Sequence, residues 1–395
     1  MRVSLRKATE GEHAIAVASA MEAVEFRFGD QSMDLLLGYR CTEAIAAHIG
    51  RLTDRVVLVA DRRVYSVWGE SLRHCLAAHV AVSCFQLDAA ESEKSLGVVQ
   101  SILDQAVAAG ATRRSVIVSL GGGLTGNLAG LAAGLLFRGV RLMHVPTTLL
   151  AMSDSVLSQK QAVNGVAAKN LYGLYHPAQL SCIDVQYLQT LPPAELSAGI
   201  VELCKNGLAF DVAILPQLER LAHARTEPSA WLELVKLGIR SKQLLLRQDP
   251  LESGCGVVLE YGHTVGHALE LETGTLTHGN AVGLGMLAAA SISRARGWLS
   301  EAEEWRHAEL LVRAGAPVSL PRPVSAEALL TRIRRDNKRG RIALQAHQHA
   351  FVLLRRLGQP ALNAGLPLVA VDETEIRAAL EKLSSGYYCR AGPTS

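Results

Sequence analysis

The stretch Arg114-Ser-Val-Ile-Val-Ser-Leu120 runs straight into Gly121-Gly-Gly-Leu-Thr-Gly126, and this junction constrains the fold more than any other feature of the chain. A continuous apolar run has no polar face to offer water. It therefore predicts a strand buried on both sides, as in parallel sheets covered by helices. The glycines that follow fit G-x-G-x-x-G between a strand and a helix, where free backbone N–H groups and the helix dipole suit a pyrophosphate. Arg55-Val-Val-Leu-Val-Ala60, closed by Asp61, is a second run of the same kind. Ser95 to Ala109 and Asn127 to Leu136 read as helices, and Gly139 to Val145 as a strand ended by Pro146, which gives the alternation of an α/β sheet.

The usual dinucleotide fingerprint puts an acidic residue about 20 positions beyond the glycines to hold the ribose. The first one after Gly126 is Asp154, so that arrangement fails here. Asp61, at the end of the earlier strand, is the better candidate for the ribose hydroxyls, with Glu91 and Lys94 on a later loop as helpers. A glycine turn that serves only tight strand–helix packing is the alternative reading.

From about Thr190 the pattern turns helical with a period near 3.6: Glu195 to Ala209, Trp231 to Arg247, Gly279 to Arg296 and Glu301 to Ala314. The expected organisation is an N-terminal extension (1–22), an α/β nucleotide-binding domain (23–187), a mainly α-helical metal- and substrate-binding domain (188–385) and a loose tail (386–395). With 40 Lys+Arg against 37 Asp+Glu, and no long block of like charge, nothing draws the chain to nucleic acid or to an anionic membrane. Seven scattered cysteines without a CxxC disfavour both a disulfide framework and a thiolate zinc site, and fit a reducing cytoplasm. The first residues lack a signal-peptide pattern, and no apolar run reaches the about 18 residues of a membrane span.

In Glu260-Tyr-Gly-His263-Thr-Val-Gly-His267 the histidines are four apart, hence on one face of a helix, and His278 follows closely enough to fold back onto them. Imidazoles with one carboxylate make a common zinc or cobalt set, and three protein ligands leave positions open for substrate. Glu202, among Ile200, Val201, Leu203 and Cys204 and three residues before Lys205, is a candidate carboxylate. The alternatives are an exposed Glu202–Lys205 pair and helix-face histidines without a metal.

Together with Val145-Pro-Thr-Thr-Leu-Leu-Ala-Met-Ser-Asp-Ser155 and Lys160-Gln-Ala-Val-Asn164, these residues resemble the dehydroquinate synthase superfamily of sugar phosphate cyclases over roughly residues 25 to 385. The resemblance implies a nucleotide-binding α/β domain, a helical metal domain and an active site between them. It implies Glu202, His263 and His278 as ligands of cobalt or zinc, with His267 in the substrate pocket beside the metal. Lys160, Lys169, Asn170, Lys205 and Lys338 match positions that contact substrate or its phosphate. Asp61, Glu91, Lys94, Gly123, Thr125, Gly126, Asn127, Thr147 and Thr148 would line NAD. Without the resemblance, Thr147 and Thr148 read as turn residues and Lys160 as a solvated lysine.

Three departures narrow the match. Dehydroquinate synthases usually carry Asp at the position of Asn127, Asn at Glu260 and Arg at Gly256, and that Arg helps to bind a substrate carboxylate. Its loss implies a substrate with a phosphate and no carboxylate. Gly122-Gly-Leu-Thr-Gly-Asn127, Met152 to Ser158 with Lys160, and Leu259-Glu-Tyr-Gly-His263 are similar to the branch of the family that serves aminoglycoside (2-deoxystreptamine) antibiotic biosynthesis. That branch implies glucose 6-phosphate as substrate, NAD recycled within each turnover, and a carbocyclic ketone and phosphate as products. Glu260 is then the candidate acid–base group, or else a carboxylate that orients His263. On base rates a homodimer is expected.

Overall fold

The computed structural model describes residues 21–166, 169–223 and 227–390. The chain begins with an antiparallel pair, β1 (Glu22–Phe28) and β2 (Gln31–Gly38). It continues through β3 (Arg55–Asp61), β4 (Ala81–Leu87), β5 (Val116–Gly121) and β6 (Arg141–Pro146), a separate hairpin of β7 (Lys160–Val163) and β8 (Tyr172–Tyr175), and β9 (Leu180–Asp184). All but the hairpin join one seven-stranded sheet in the order β1-β2-β9-β6-β5-β3-β4, parallel at every junction after the first.

The apolar runs are the buried centre of this sheet, with Val56 to Ala60 and Val116 to Leu120 all enclosed. Ser119 is the polar member of its run. Its hydroxyl lies 2.7 Å from Nδ1 of His144, its register partner on β6, so the buried pair satisfies itself. Helices α1 (Thr42–Leu52), α2 (Glu70–Ala77), α3 (Leu96–Ala108), α4 (Gly123–Leu135) and α5 (Leu149–Ser153) connect the strands. Helix α4 starts at Gly123, ahead of the Asn127 that the periodicity suggests: its first turn carries no apolar period, yet the Gly126 N–H already reaches the Gly122 carbonyl at 3.0 Å.

Because β5 lies beside both β3 and β6 while β4 lies on the far side of β3, the winding of the sheet reverses between β3 and β5. Ligands of open α/β sheets bind at such a reversal, beyond the carboxyl ends of the strands. Asp61 and Gly121 end the two strands that flank it. The β7–β8 hairpin is laid against α4 because position 130 has no side chain: a Cβ there would meet Gln161 Oε1 at 2.1 Å. The Asn127 carboxamide oxygen fixes the same strand by accepting the Ala162 N–H at 3.2 Å.

After the 3-10 segment Val185–Thr190 the chain is helical: α6 (Pro193–Ala209), α7 (Leu215–His223), α8 (Pro228–Leu246), α9 (His263–Thr273), α10 (His278–Ala295), α11 (Glu301–Ala314), α12 (Ala326–Ile333) and α13 (Glu373–Ser384). A small ribbon pairs Gln348–Phe351 with Val369–Asp372. Helix α10 is buried almost all round, as expected of a helix at the centre of a bundle. It crosses α9 at backbone contact, since a Cβ on Gly285 would lie 1.9 Å from the Gly262 carbonyl oxygen.

The expectation of a loose tail from residue 386 is corrected. Tyr387–Cys389 form a 3-10 turn, Tyr388 is buried, and its hydroxyl donates to Glu304 at 2.5 Å, a carboxylate that Lys382 also reaches at 2.5 Å. Residues 1–20 of the expected N-terminal extension and 391–395 of the expected tail lie outside the described residues. None of the seven cysteines is paired. Among the described residues, no helix is long and apolar enough to cross a membrane.

Candidate active site

Three helices converge on one point. Glu202 comes from the middle of α6, His263 is the first residue of α9 with His267 one turn further on, and His278 is the first residue of α10. The three imidazoles form a triangle with centroids 5.1, 5.3 and 5.8 Å apart. Glu202 Oε1 faces them, 4.0 Å from His263 Nε2 and 3.7 Å from His278 Nε2. This oxygen is fully buried without a hydrogen-bond partner, while its twin Oε2 accepts from Lys205 Nζ at 2.6 Å. A buried anionic oxygen left bare is costly. A cation between it and the two nitrogens would remove that cost, so the donor set fits a divalent metal.

The outer contacts separate the histidines. His263 Nδ1 donates to the Tyr261 carbonyl at 3.1 Å and His278 Nδ1 donates to Glu270 at 3.1 Å, so in each ring Nε2 keeps the lone pair that faces Glu202. His267 lies within the same 4.8 Å cluster of donors as the other two histidines, but its ring has no hydrogen-bond partner among the described residues. Geometry alone leaves it open as a third imidazole. The oriented pair with Glu202 makes the better-formed set, with His267 beside it. Burial, reinforced by Lys205, holds the pKa of His263 at about 3, and burial together with His263 holds that of His267 at about 3. Both of these rings are neutral, whereas burial of His278 is outweighed by Glu270 and Glu202, which raise its pKa.

Charged groups surround this centre in pairs. Lys160 Nζ lies 2.7 Å from Glu252, Lys338 Nζ 2.9 Å from Asp336 and 3.4 Å from Glu260, and Lys169 Nζ 2.7 Å from Glu270 and 3.1 Å from Glu91. Burial opposes the charge on Lys160, Lys205 and Lys338, but the carboxylates facing them win and keep all three cationic. Burial would also push the Glu260 carboxyl up, yet Lys338 and Lys160 outweigh it and hold the group well below the usual carboxylate range. Glu260 is thus ionised. A cavity of about 330 Å³ opens beside His267 and Lys169, edged by Arg332, Arg335 and Asn337.

Sequence reasoning missed several groups here. Lys242 on α8 and Asp154 form a buried pair at 2.8 Å, and burial of the Asp154 carboxyl is outweighed by Lys242 and Lys205, which keep it ionised. Glu252 carries Lys160 and accepts the Ser158 hydroxyl at 3.1 Å from a left-handed backbone (φ 53°). Asp249 receives the Gly254 and Gly256 N–H groups, each at 2.8 Å. Lys242 was visible as a lysine on the buried face of its helix, and Glu270 as the residue three beyond His267 on the histidine face. No local pattern marks Glu252.

On the nucleotide side the glycine loop is bare of side chains, and the buried hydroxyls of Thr125, Thr147 and Ser155 have no partner among the described residues. Unspent donors beside amides at a helix start fit a phosphate-bearing cofactor. A Cβ on Gly123 would come within 3.0 Å of Ser155 Oγ and narrow that cradle. Thr148 spends its hydroxyl on capping α5, accepting the Ala151 N–H at 3.0 Å, and Asn127 donates to the Gly123 carbonyl at 2.9 Å. Asp61 accepts the Arg63 N–H at 2.8 Å at the mouth of the reversal. Glu91 and Lys94 are tied to the segment after β7: Glu91 accepts from Asn164 at 2.7 Å, and Lys94 donates to the side chain of Asn170.

Comparison with known proteins bears on both halves. Residues 84–198 match the model of the 3-dehydroquinate synthase N-terminal region, and residues 199–339 match that of the C-terminal region. A 2-deoxy-scyllo-inosose synthase of Micromonospora echinospora is 41% identical over 352 residues, 88% of this chain and 89% of that protein. The crystal structure of a 2-deoxy-scyllo-inosose synthase complexed with carbaglucose-6-phosphate, NAD+ and Co2+ superposes with a TM-score of 0.86 at 34% identity, covering 91% of this chain and 100% of that one. A 2-epi-5-epi-valiolone synthase of Streptomyces hygroscopicus with NAD+ and Zn2+ bound follows at 0.79 and 28%, covering 90% and 98%.

Proposed function

The chain belongs to the 3-dehydroquinate synthase family, and we propose that within it this enzyme converts glucose 6-phosphate to 2-deoxy-scyllo-inosose and phosphate, for aminoglycoside biosynthesis. The observation that carries the reading is the wall beside Lys160. Gly256, where carboxylate-binding relatives keep Arg, packs on Asp249, so that a Cβ would meet its Oδ2 at 2.9 Å, and the neighbouring carboxylates are Glu252 and the ionised Glu260. Such a wall repels a substrate carboxylate and suits the neutral polyol part of a sugar phosphate.

In this reading Glu202, His263 and His278 hold cobalt or zinc, and the glycine loop with Asp61, Glu91, Lys94, Thr125, Asn127, Thr147 and Thr148 holds NAD. Bound there, NAD would take a hydride from carbon 4 and later return it, while the metal would supply Lewis acidity to the oxygen on that carbon. The chain's own groups do the rest. Glu260, ionised and three residues before His263, would accept the proton from carbon 5. Lys160 keeps its charge and, as the most open of the buried-site lysines at 38% side-chain exposure, meets the phosphate that leaves carbon 6. Lys169, Asn170, Lys205 and Lys338 frame the substrate, and His267 lines the cavity beside it. Holding one substrate through oxidation, elimination, reduction and aldol closure is the task of this enclosure.

The division into residues 23–187 and 188–385, a homodimer and a cytoplasmic setting belong to the same proposal, the last supported by seven unpaired cysteines. The test is to incubate the chain with glucose 6-phosphate, cobalt and substoichiometric NAD. Phosphate release beyond the amount of NAD, a carbocyclic ketone by mass spectrometry and no net NADH are expected. NADH accumulating in step with substrate would sink the cyclase reading in favour of a dehydrogenase.

A further inference from the structure

The contacts of Glu270 continue past the metal centre. Its Oε2 takes the His278 Nδ1–H at 3.1 Å, and its Oε1 takes Lys169 Nζ at 2.7 Å. Lys169 is shared: the same ammonium lies 3.1 Å from Glu91 Oε1, on the 3-10 turn after β4 at the nucleotide side. At the other end His278 Nε2 faces the bare Glu202 oxygen at 3.7 Å. Glu91, Lys169, Glu270 and His278 therefore form one line of charge-assisted contacts from the nucleotide loop to a metal ligand, whose far nitrogen faces Glu202. Lys169 and Glu270 are only 12% and 15% exposed, so solvent screens this stretch weakly.

We propose that Glu270 is a positioning residue for the metal ligand His278 and that, through Lys169, it couples metal binding to NAD binding. The proposal rests on the metal and NAD reading above. A carboxylate on Nδ1–H fixes the ring and strengthens Nε2 as a ligand. The strength of that support depends on how Lys169 divides itself between Glu270 and Glu91. A nucleotide that engages Glu91 changes the division, and the metal site feels it. By linkage, bound metal changes NAD affinity by the same factor.

Cobalt and NAD affinities of the full chain are measured by titration calorimetry, each with and without the other ligand. The parent is expected to show mutual coupling of roughly 5- to 150-fold. Glu270→Gln, which keeps the shape, is expected to bind cobalt about 10- to 100-fold more weakly, to recover turnover at saturating cobalt and to lose the coupling. Lys169→Met, which leaves the carboxylate on His278, is expected to keep cobalt affinity within a few-fold while the coupling disappears. Parental cobalt affinity in Glu270→Gln overturns the positioning role, and coupling that survives both substitutions overturns the link. A parent chain that takes up neither ligand removes the metal and NAD reading itself, a failure seen before any variant is made.

Discussion

Gly285→Ala tests whether the metal centre depends on the backbone contact between α9 and α10. A methyl there would lie 1.9 Å from the Gly262 carbonyl oxygen and 2.8 Å from the Gly266 amide nitrogen, where real Cβ atoms keep at least 3.0 Å. Both obstacles are main chain, so no side chain can swing aside and the helices must part by about 1 Å. Overpacking of this kind costs about 1–3 kcal/mol, and rigid neighbours place this case at the upper end. The same shift moves His263 and His278, which open the two helices, away from each other and from Glu202. Cobalt affinity is expected to fall on the order of 10- to 100-fold, as when ligand support is lost. Gly274→Ala is the control: it caps α9 at φ 63° with nothing within 4 Å of a new Cβ, so it is expected to cost about 1 kcal/mol and spare the metal. Urea unfolding followed by far-UV circular dichroism, and cobalt retained against a chelator buffer, read the two effects. A Gly285→Ala chain as stable as the control, with its cobalt affinity intact, would refute the argument from the tight crossing.

Glu260→Gln is expected to bind cobalt and NAD as the parent does while losing phosphate release from glucose 6-phosphate, because the amide cannot take a proton; normal turnover rules out the acceptor role. Gly256→Arg is expected to bring no gain with glucose 6-phosphate, since its Cβ would press on Asp249 and Glu252, and a clear rise in kcat/KM contradicts the reading of this wall. Stability is expected to fall with acid. Burial holds His144 and His307 each at about 4, below the usual 6.5. The unfolded chain therefore takes up these protons first, the contribution is complete above pH 6.5, and it is lost as pH falls toward 4. Between pH 7 and 5 each histidine accounts for about 2 kcal/mol, and a His307→Gln chain with the parent's full pH dependence of urea unfolding would show the account of that residue to be wrong.

Strands β3, β5 and β6 and helices such as α11 were legible because burial on both faces writes an unbroken apolar run, as at Val56 to Ala60, and burial on one face writes a period, as at Glu301 to Ala314. The hairpin of β1 and β2 went unread: charged residues such as Glu25, Arg27 and Asp34 interrupt it, and its place is set by a strand far along the chain. Glu202 was recognised but left open between a ligand and a surface pair with Lys205; the two are 2% and 3% exposed, which removes the surface reading. Glu252, Asp154 and the pairing of Glu270 with Lys169 escaped because the partners are 92, 88 and 101 positions apart. Local spacing records which face of an element is buried. It carries nothing about which distant charge arrives there.

The position of β9 has a consequence for how the protein is made. This strand lies in the middle of the sheet, between β2 and β6, yet it is the last of the seven to leave the ribosome. Gly38 ends β2 and Leu180 opens β9, so at about 5–20 residues per second the inner edges of two nascent sub-sheets wait unpaired for roughly 7–30 s. An open edge is a template for the wrong strand. Slower synthesis or fewer chaperones while residues 38–184 are being made is therefore expected to lower the yield of folded chain.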